Sequence, residues 1–218
     1  MGRAGGAHRA GCEDHPDGHG GRRGGVRAVT GVTAPSSRAE LLPAFAGAAD
    51  EIGGSFAGLD DRTFWTGTAE QWGAAHHLDH LIRSNRPVAG GLGAARDRLQ
   101  PLPPEHHRRS SAEIEAEYRA ALSSGARAFG RWLPQPEGTQ TELVERYRAS
   151  LTGVSDALTG WTDAELDAWA MPHPVLGVLS VREMLLFTLL HNRHHEGGVR
   201  ARLTPVASPT GTGDNALP

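Results

Sequence analysis

The segment LLHNRHH, residues 189–195, contains three histidines in its last five residues. His191 and His195 are four positions apart, so on a helix their side chains project from one face, about one turn from each other. Two imidazoles at this spacing are typical of a metal site on a helix. A pair of hydrogen-bonded core histidines explains the same spacing equally well, so a third ligand is needed to decide between these interpretations.

The predicted helix that carries this segment has an apolar face beneath the two histidines. Met184 and Thr188 lie seven positions before them, and a valine lies four positions after His195. The pair therefore follows a mostly apolar line, which predicts that it faces inward. His194 is rotated by about 100° from its neighbour on a helix and is predicted to lie at the edge of the same face.

A second predicted helix offers candidates for the third ligand in the segment AAHHLDHL, residues 74–81. The apolar stripe of this helix consists of Leu78, Leu81, Ile82, Val88 and Leu92. His77 lies nearer this stripe, whereas His80 lies at its margin, where it could face a cleft between helices. Both therefore stay candidates on the helical pattern alone. The polar neighbours predicted to be exposed are His76, Asp79 and Glu196.

Helical patterns account for most of the chain between residues 39 and 203. Capping residues and three-to-four spacing of apolar residues predict helices that start near Ser37, Ala74, Ser110, Leu143, Thr162 and Ser180. The second is expected to reach Leu99 with a kink at Pro87, and the third to reach Trp132. Residues 171–179 are predicted to form an extended crossing. These patterns predict an all-α fold, a four-helix bundle, in which facing helices can supply metal ligands.

Composition divides the chain into one domain and two tails. Residues 1–38 contain ten glycines and almost no large apolar residues, and residues 204–218 have a similar character. Such segments bury too little surface to offset the entropy of ordering, so both are predicted to be disordered tails. Residues 39–203 are predicted to form a single helical domain, as the length of the chain allows.

Charge and cysteine content narrow the classes of function. The net charge is -3 and all 22 basic residues are arginine, which indicates GC-rich bacterial codon usage and gives no basic surface for nucleic acid. The single cysteine, Cys12, excludes an internal disulfide framework and a cysteine-based zinc site. No apolar run is long enough to span a membrane. We therefore expect a soluble cytoplasmic protein that binds neither nucleic acid nor membrane.

Three separated elements of the chain resemble the DinB-like superfamily, which includes the proteins grouped with YfiT. A tryptophan is followed eight residues later by His-Leu, and a phrase HPVLGVLSVREMLLFTLLHNRHH precedes a His-x-x-x-His pair on the last helix. The resembling residues are Trp72, His80, Leu81, Pro174, Gly177, Ser180, Glu183, Phe187, His191, His194 and His195. The resemblance implies a four-helix bundle in which His80, His191 and His195 hold a divalent metal such as zinc, nickel or iron.

The resemblance also implies possible activities. Members of the superfamily include transferases and isomerases that use low-molecular-weight thiols such as bacillithiol or mycothiol. We therefore expect a metal-dependent thiol S-transferase acting on a small electrophile, while a metal-dependent hydrolase and a non-enzymatic, stress-related metal-binding bundle stay open as alternatives. A small-molecule substrate is expected, and an exposed bundle face would allow a homodimer. The arginines considered for contact with cofactor carboxylates are Arg83, Arg86, Arg182, Arg193 and Arg200.

Overall fold

The computed structural model describes residues 34–203, and this part of the chain is mostly helical, as the sequence predicts. The helices are α1 (Arg38–Ala57), α2 (Asp61–Trp65), α3 (Ala74–Leu92), α4 (Ser111–Ser123), α5 (Gln140–Leu158), α6 (Asp163–Ala168) and α7 (Val181–Leu203). The strands are β1 (Gln100–Pro101), β2 (Trp169–His173) and β3 (Gly177–Ser180). Within these residues no helix has both the length and the apolar character needed to cross a bilayer. The predicted tails lie almost wholly outside the described residues.

Local capping explains where the helices begin. The capping boxes predicted for Ser110 and Thr162 are both formed: each hydroxyl accepts a hydrogen bond from the backbone N–H three residues on, and a glutamate there accepts one in return. Ser180 also makes this reciprocal contact, with Glu183 at the start of α7. Each box satisfies backbone donors that a helix terminus leaves without partners.

The four long helices enclose one hydrophobic core. Both α1 and α3 contact α5 and α7, so the four helices form a closed ring of neighbours. Fully buried side chains from each helix meet inside this ring, and they include Phe45, Leu78, Leu151 and Leu185. Burial of each such side chain contributes about 1.5–3 kcal/mol. This packing holds α3 and α7, which carry the candidate ligands, next to each other.

Two helices end earlier than the sequence pattern predicts. Helix α3 continues through Pro87 but ends at Leu92, where Gly93 follows, rather than at Leu99. Helix α4 ends at Ser123, two residues before Gly125, whose φ of +96° lies in the left-handed region. Such a backbone conformation terminates a helix and is available mainly to glycine. The residues after α4 as far as Trp132 therefore form an irregular segment, which ends in one turn of 3₁₀ helix at Gly130–Trp132, instead of further α-helix.

A small antiparallel sheet, ordered β1-β2-β3, is the main departure from the all-α prediction. The predicted extended crossing folds as a hairpin, in which Met171 pairs with Leu179 and His173 pairs with Gly177. Gly177 has a φ of +71°, which allows the chain to turn back at this point. The hairpin leads directly into α7 and places His173 beside Phe187, with 4.4 Å between their ring centroids.

Candidate metal centre

Three histidine side chains from two helices converge inside the domain. His80 of α3 and His191 of α7 place their Nε2 atoms 3.2 Å apart, and the Nε2 atoms of His191 and His195 are 3.0 Å apart. Each of the three offers a ring nitrogen within 4.8 Å of the others, and all three side chains are buried. The three histidines expected from the resemblance are therefore close enough to hold a metal ion.

The donor geometry fits a small divalent ion. Metal–nitrogen bonds of 2.0–2.1 Å in a tetrahedral site separate the nitrogens by about 3.3 Å, close to the two separations found here. His80 Nδ1 lies 2.7 Å from the backbone oxygen of Trp132, which can only accept, so Nδ1 carries the proton and Nε2 keeps a lone pair. A buried lone pair that faces other imidazole nitrogens is well suited to a cation.

Burial keeps the three rings in the form that binds metals. It lowers the pKa values of His191 and His195 well below the ordinary value of 6.5, and nearby imidazoles lower them further. Burial also lowers the pKa of His80, although the Trp132 carbonyl and Asp79 partly oppose this effect. The rings are therefore neutral at pH 7, and neutral imidazole is the metal-binding form of histidine.

His77, the alternative third ligand, has a different contact. Its Nδ1 lies 2.8 Å from Nδ1 of His195, and burial, the largest cause, lowers its pKa to about 4. The structure thus places both α3 histidines in the interior, with His80 in the group of three. The apolar pattern of α3 placed His80 only at the margin of the buried face. It did so because the face of α3 toward α7 is partly polar, as buried Asn85 also shows.

The other polar neighbours lie close to the three histidines without adding a nitrogen or oxygen to the converging group, although the His194 ring packs against that of His195. Asp79 is buried, contrary to expectation, and accepts hydrogen bonds from Arg83 Nε and the backbone N–H of Gln135. Glu196, which is partly buried, accepts one from the Ser55 hydroxyl. His194 packs edge-on against a tyrosine of α4, and His76 is partly exposed. None of these four side chains joins the converging nitrogens in the described part of the chain.

A cavity of about 550 Å³ adjoins the three histidines. Apolar and aromatic groups dominate its wall, notably Trp72, Tyr118, Phe129, Trp132, Val175 and Phe187. The arginines that line it are Arg127, Arg131 and Arg202. None of the five arginines considered from the sequence lines this cavity, and Arg83 and Arg182 instead form ion pairs with aspartates. Its size suits a small molecule beside the histidines.

A tight loop before α3 places an aromatic ring over the cluster. The Trp72 ring lies 5.0 Å from the His80 ring and 5.6 Å from the His77 ring, measured between centroids. The next residue, Gly73, approaches the backbone so closely that an added Cβ would lie 1.6 Å from the Thr66 carbonyl oxygen. The loop can therefore hold Trp72 in place only if residue 73 has no side chain.

We expect Gly73→Ala to lower the stability of the domain. The new methyl group forces backbone atoms apart, at a cost of at least about 1–3 kcal/mol, as for other overpacked sites. A matched control is Gly47→Ala on the exposed face of α1, where an added Cβ meets nothing within 4 Å; it should stabilise by about 0.5–1 kcal/mol. Thermal melting should move in opposite directions for the two variants, and equal melting temperatures would contradict the close approach.

Comparison of the chain with protein-family models and with curated proteins gives no match. The resemblance to the DinB-like superfamily therefore rests on the residues and spacings of the chain itself.

Proposed function

We propose that this chain is a four-helix bundle of the DinB-like superfamily that binds one divalent metal through His80, His191 and His195 and acts as an enzyme. The observation that carries the proposal is the convergence of three buried imidazole nitrogens beside a cavity. Catalytic metal sites commonly use three protein ligands and keep one position for water or substrate. A bound divalent ion would supply a Lewis acid that lowers the pKa of a water or thiol.

The surroundings of the triad favour an enzyme over a purely structural metal site. A closed structural shell needs a fourth protein ligand, and neither His76 nor Glu196 lies in the group of converging nitrogens. All three histidines instead line a cavity whose wall is rich in aromatic side chains. The Trp132 carbonyl fixes the orientation of His80, so at least one ligand is positioned before any substrate enters.

Thiol transfer is the activity that we favour for this site. The only cysteine of the chain, Cys12, lies outside the described residues, so we expect a small thiol such as bacillithiol or mycothiol to bring the nucleophile. Its sulfur would form a bond to carbon of the electrophile, the leaving group would depart with its electron pair, and the thiol proton would pass to solvent. Arg127, Arg131 and Arg202 could bind the carboxylates of a thiol that carries them, such as bacillithiol.

Metal-dependent hydrolysis is the weaker alternative. It needs a general base within hydrogen-bond reach of the attacking water. Of the described residues that line the cavity, the one carboxylate belongs to Glu70, which is exposed and accepts a hydrogen bond from the Thr68 hydroxyl. This contact lowers the pKa of Glu70, which makes its carboxylate a weaker base.

The proposal predicts that the purified protein binds about one equivalent of divalent metal. Elemental analysis of the protein as isolated, followed by titration of the chelated protein with Zn²⁺, Ni²⁺ and Fe²⁺, measures this directly. Metal-loaded protein should then accelerate the reaction of a small aryl halide with one member of a panel of bacterial thiols. Absence of metal binding would reject the site, whereas metal binding without transfer to any thiol would reject only the transferase assignment.

A further inference from the structure

His77 is a buried histidine that is not one of the three proposed metal ligands. Its side chain is 9% exposed, and its Nδ1 lies 2.8 Å from Nδ1 of His195. Its other nitrogen, Nε2, is buried and has no hydrogen-bond partner among the described residues. His77 therefore makes one polar contact with the triad, on the side of His195 that faces away from the converging Nε2 atoms.

The proton count in this contact is determined by its geometry. Two Nδ1 atoms 2.8 Å apart must share one proton, because two N–H groups would clash and two lone pairs would repel. Nε2 of His195 is the atom that meets the other triad nitrogens, at 3.0 Å from His191. If it donates its lone pair to a metal, the proton of the neutral ring must lie on Nδ1. His195 is then the donor and His77 the acceptor.

We propose that His77 is a positioning residue for the metal site, which fixes the tautomer and ring orientation of His195 by accepting the hydrogen bond from its Nδ1. This inference rests on the proposed metal-binding function. The Trp132 carbonyl makes the equivalent contact with Nδ1 of His80. Two of the three ligands thus have an acceptor behind them, one from the backbone and one from a side chain, as is general for metal-binding histidines.

Matched variants of His77 test this role through metal affinity. His77→Phe keeps an aromatic ring but removes the acceptor, so it should weaken Zn²⁺ binding by about 10- to 100-fold. His77→Asn keeps an oxygen near the position of Nδ1 and should stay within about threefold of the wild-type affinity. His107→Phe, whose histidine side chain is 80% exposed, serves as the control and should not change the affinity. Competition with a chromophoric chelator measures the dissociation constants.

The cobalt spectrum separates positioning from general loss of structure. Wild-type and His77→Asn proteins should give the same Co²⁺ ligand-field bands, whereas His77→Phe should give shifted or weaker bands while its circular dichroism stays unchanged. Wild-type affinity and bands in His77→Phe would overturn the role of His77 and leave the metal site standing. A wild-type protein that binds neither ion would reject the proposed function itself.

The tautomer of His77 gives a test that needs no variant. If His77 accepts at Nδ1, its own proton lies on Nε2, and long-range ¹H–¹⁵N correlation spectra of the Zn²⁺-loaded protein should show this tautomer for His77 and the opposite one for His195. A proton on Nδ1 of His77 would overturn the inference even if His77→Phe failed to fold. These spectra report the proton positions independently of enzyme activity.

Discussion

Replacing His191 and His195 together by alanine is expected to abolish metal binding. The double variant removes two of the three converging nitrogens and leaves only that of His80. Structural zinc sites gain about 10–16 kcal/mol from a full ligand set, so loss of two ligands should weaken binding by more than about 10³-fold. Elemental analysis after dialysis should find about one equivalent of metal in the wild-type protein and a negligible amount in the variant.

Thermal stability gives a second measurement of the same prediction. A ligand that binds only the folded protein stabilises it by about 2.7 kcal/mol at 100 times its dissociation constant. Added Zn²⁺ should therefore raise the melting temperature of the wild-type protein but not that of the double variant. His107→Ala, at an exposed position, should respond like the wild type. A double variant that keeps one equivalent of metal would show that the ion binds elsewhere in the chain.

Features that depend on neighbouring residues were the ones that the sequence predicted well. The capping boxes of Ser110 and Thr162 and the capping contact of Ser180 all form as expected, since a capping box involves residues only three positions apart. The spacing of His191 and His195 likewise predicted that the pair would share one helical face, and both are buried. Local geometry was sufficient in each of these cases.

Features that depend on distant contacts were predicted less well. The irregular segment after α4 carries the Trp132 carbonyl to Nδ1 of His80, a contact between residues 52 positions apart in the chain. Periodicity predicted helix through Trp132 because it does not register the left-handed backbone of Gly125. Two of the three cavity arginines, Arg127 and Arg131, were missed for the same reason, since they lie in this segment after α4.

The choice between His77 and His80 shows what hydrophobic patterning cannot resolve. Both residues are buried, although only His77 lay close to the apolar stripe. The helix face that meets α7 contains polar groups, including Asn85, whose side-chain amide exchanges hydrogen bonds with that of Asn192. A pattern of apolar residues locates the hydrophobic part of a core. It cannot locate a buried polar site, because the residues of such a site are not apolar.

Removal of the Glu183 carboxylate is expected to destabilise the whole domain. Glu183 lies near the start of α7 and is 1% exposed. Its oxygens accept hydrogen bonds from the backbone N–H and the guanidinium of Arg109, and one oxygen lies 2.8 Å from Nε2 of His106. These contacts join α7 to the segment that leads into α4, which contributes Tyr118 to the cavity. The carboxylate therefore links the position of the histidine helix to the wall of the site.

Glu183→Ala should lower the free energy of unfolding by about 3–5 kcal/mol, because it leaves the largely buried Arg109 without its main counter-charge. Arg109 keeps a contact with Glu117, so the loss should not exceed this range. Glu113→Ala is the matched control, since that glutamate caps α4 at an exposed position and should cost less than about 1 kcal/mol. Urea unfolding at pH 7 measures both changes, and equal losses would contradict the role of burial.

The difference between wild type and Glu183→Ala should also depend on pH. Burial alone would raise the pKa of Glu183, but the hydrogen bonds from Arg109, Ser180 and His106 outweigh it and hold the pKa below its ordinary value of 4.5. A carboxylate with a lowered folded-state pKa stabilises the protein above its unfolded-state pKa, and this contribution disappears as the pH falls through the folded-state value. The stability difference should therefore be constant near pH 7 and shrink below about pH 4.5. A difference that stays unchanged in acid would show that lost packing, rather than lost charge, accounts for the effect of the substitution.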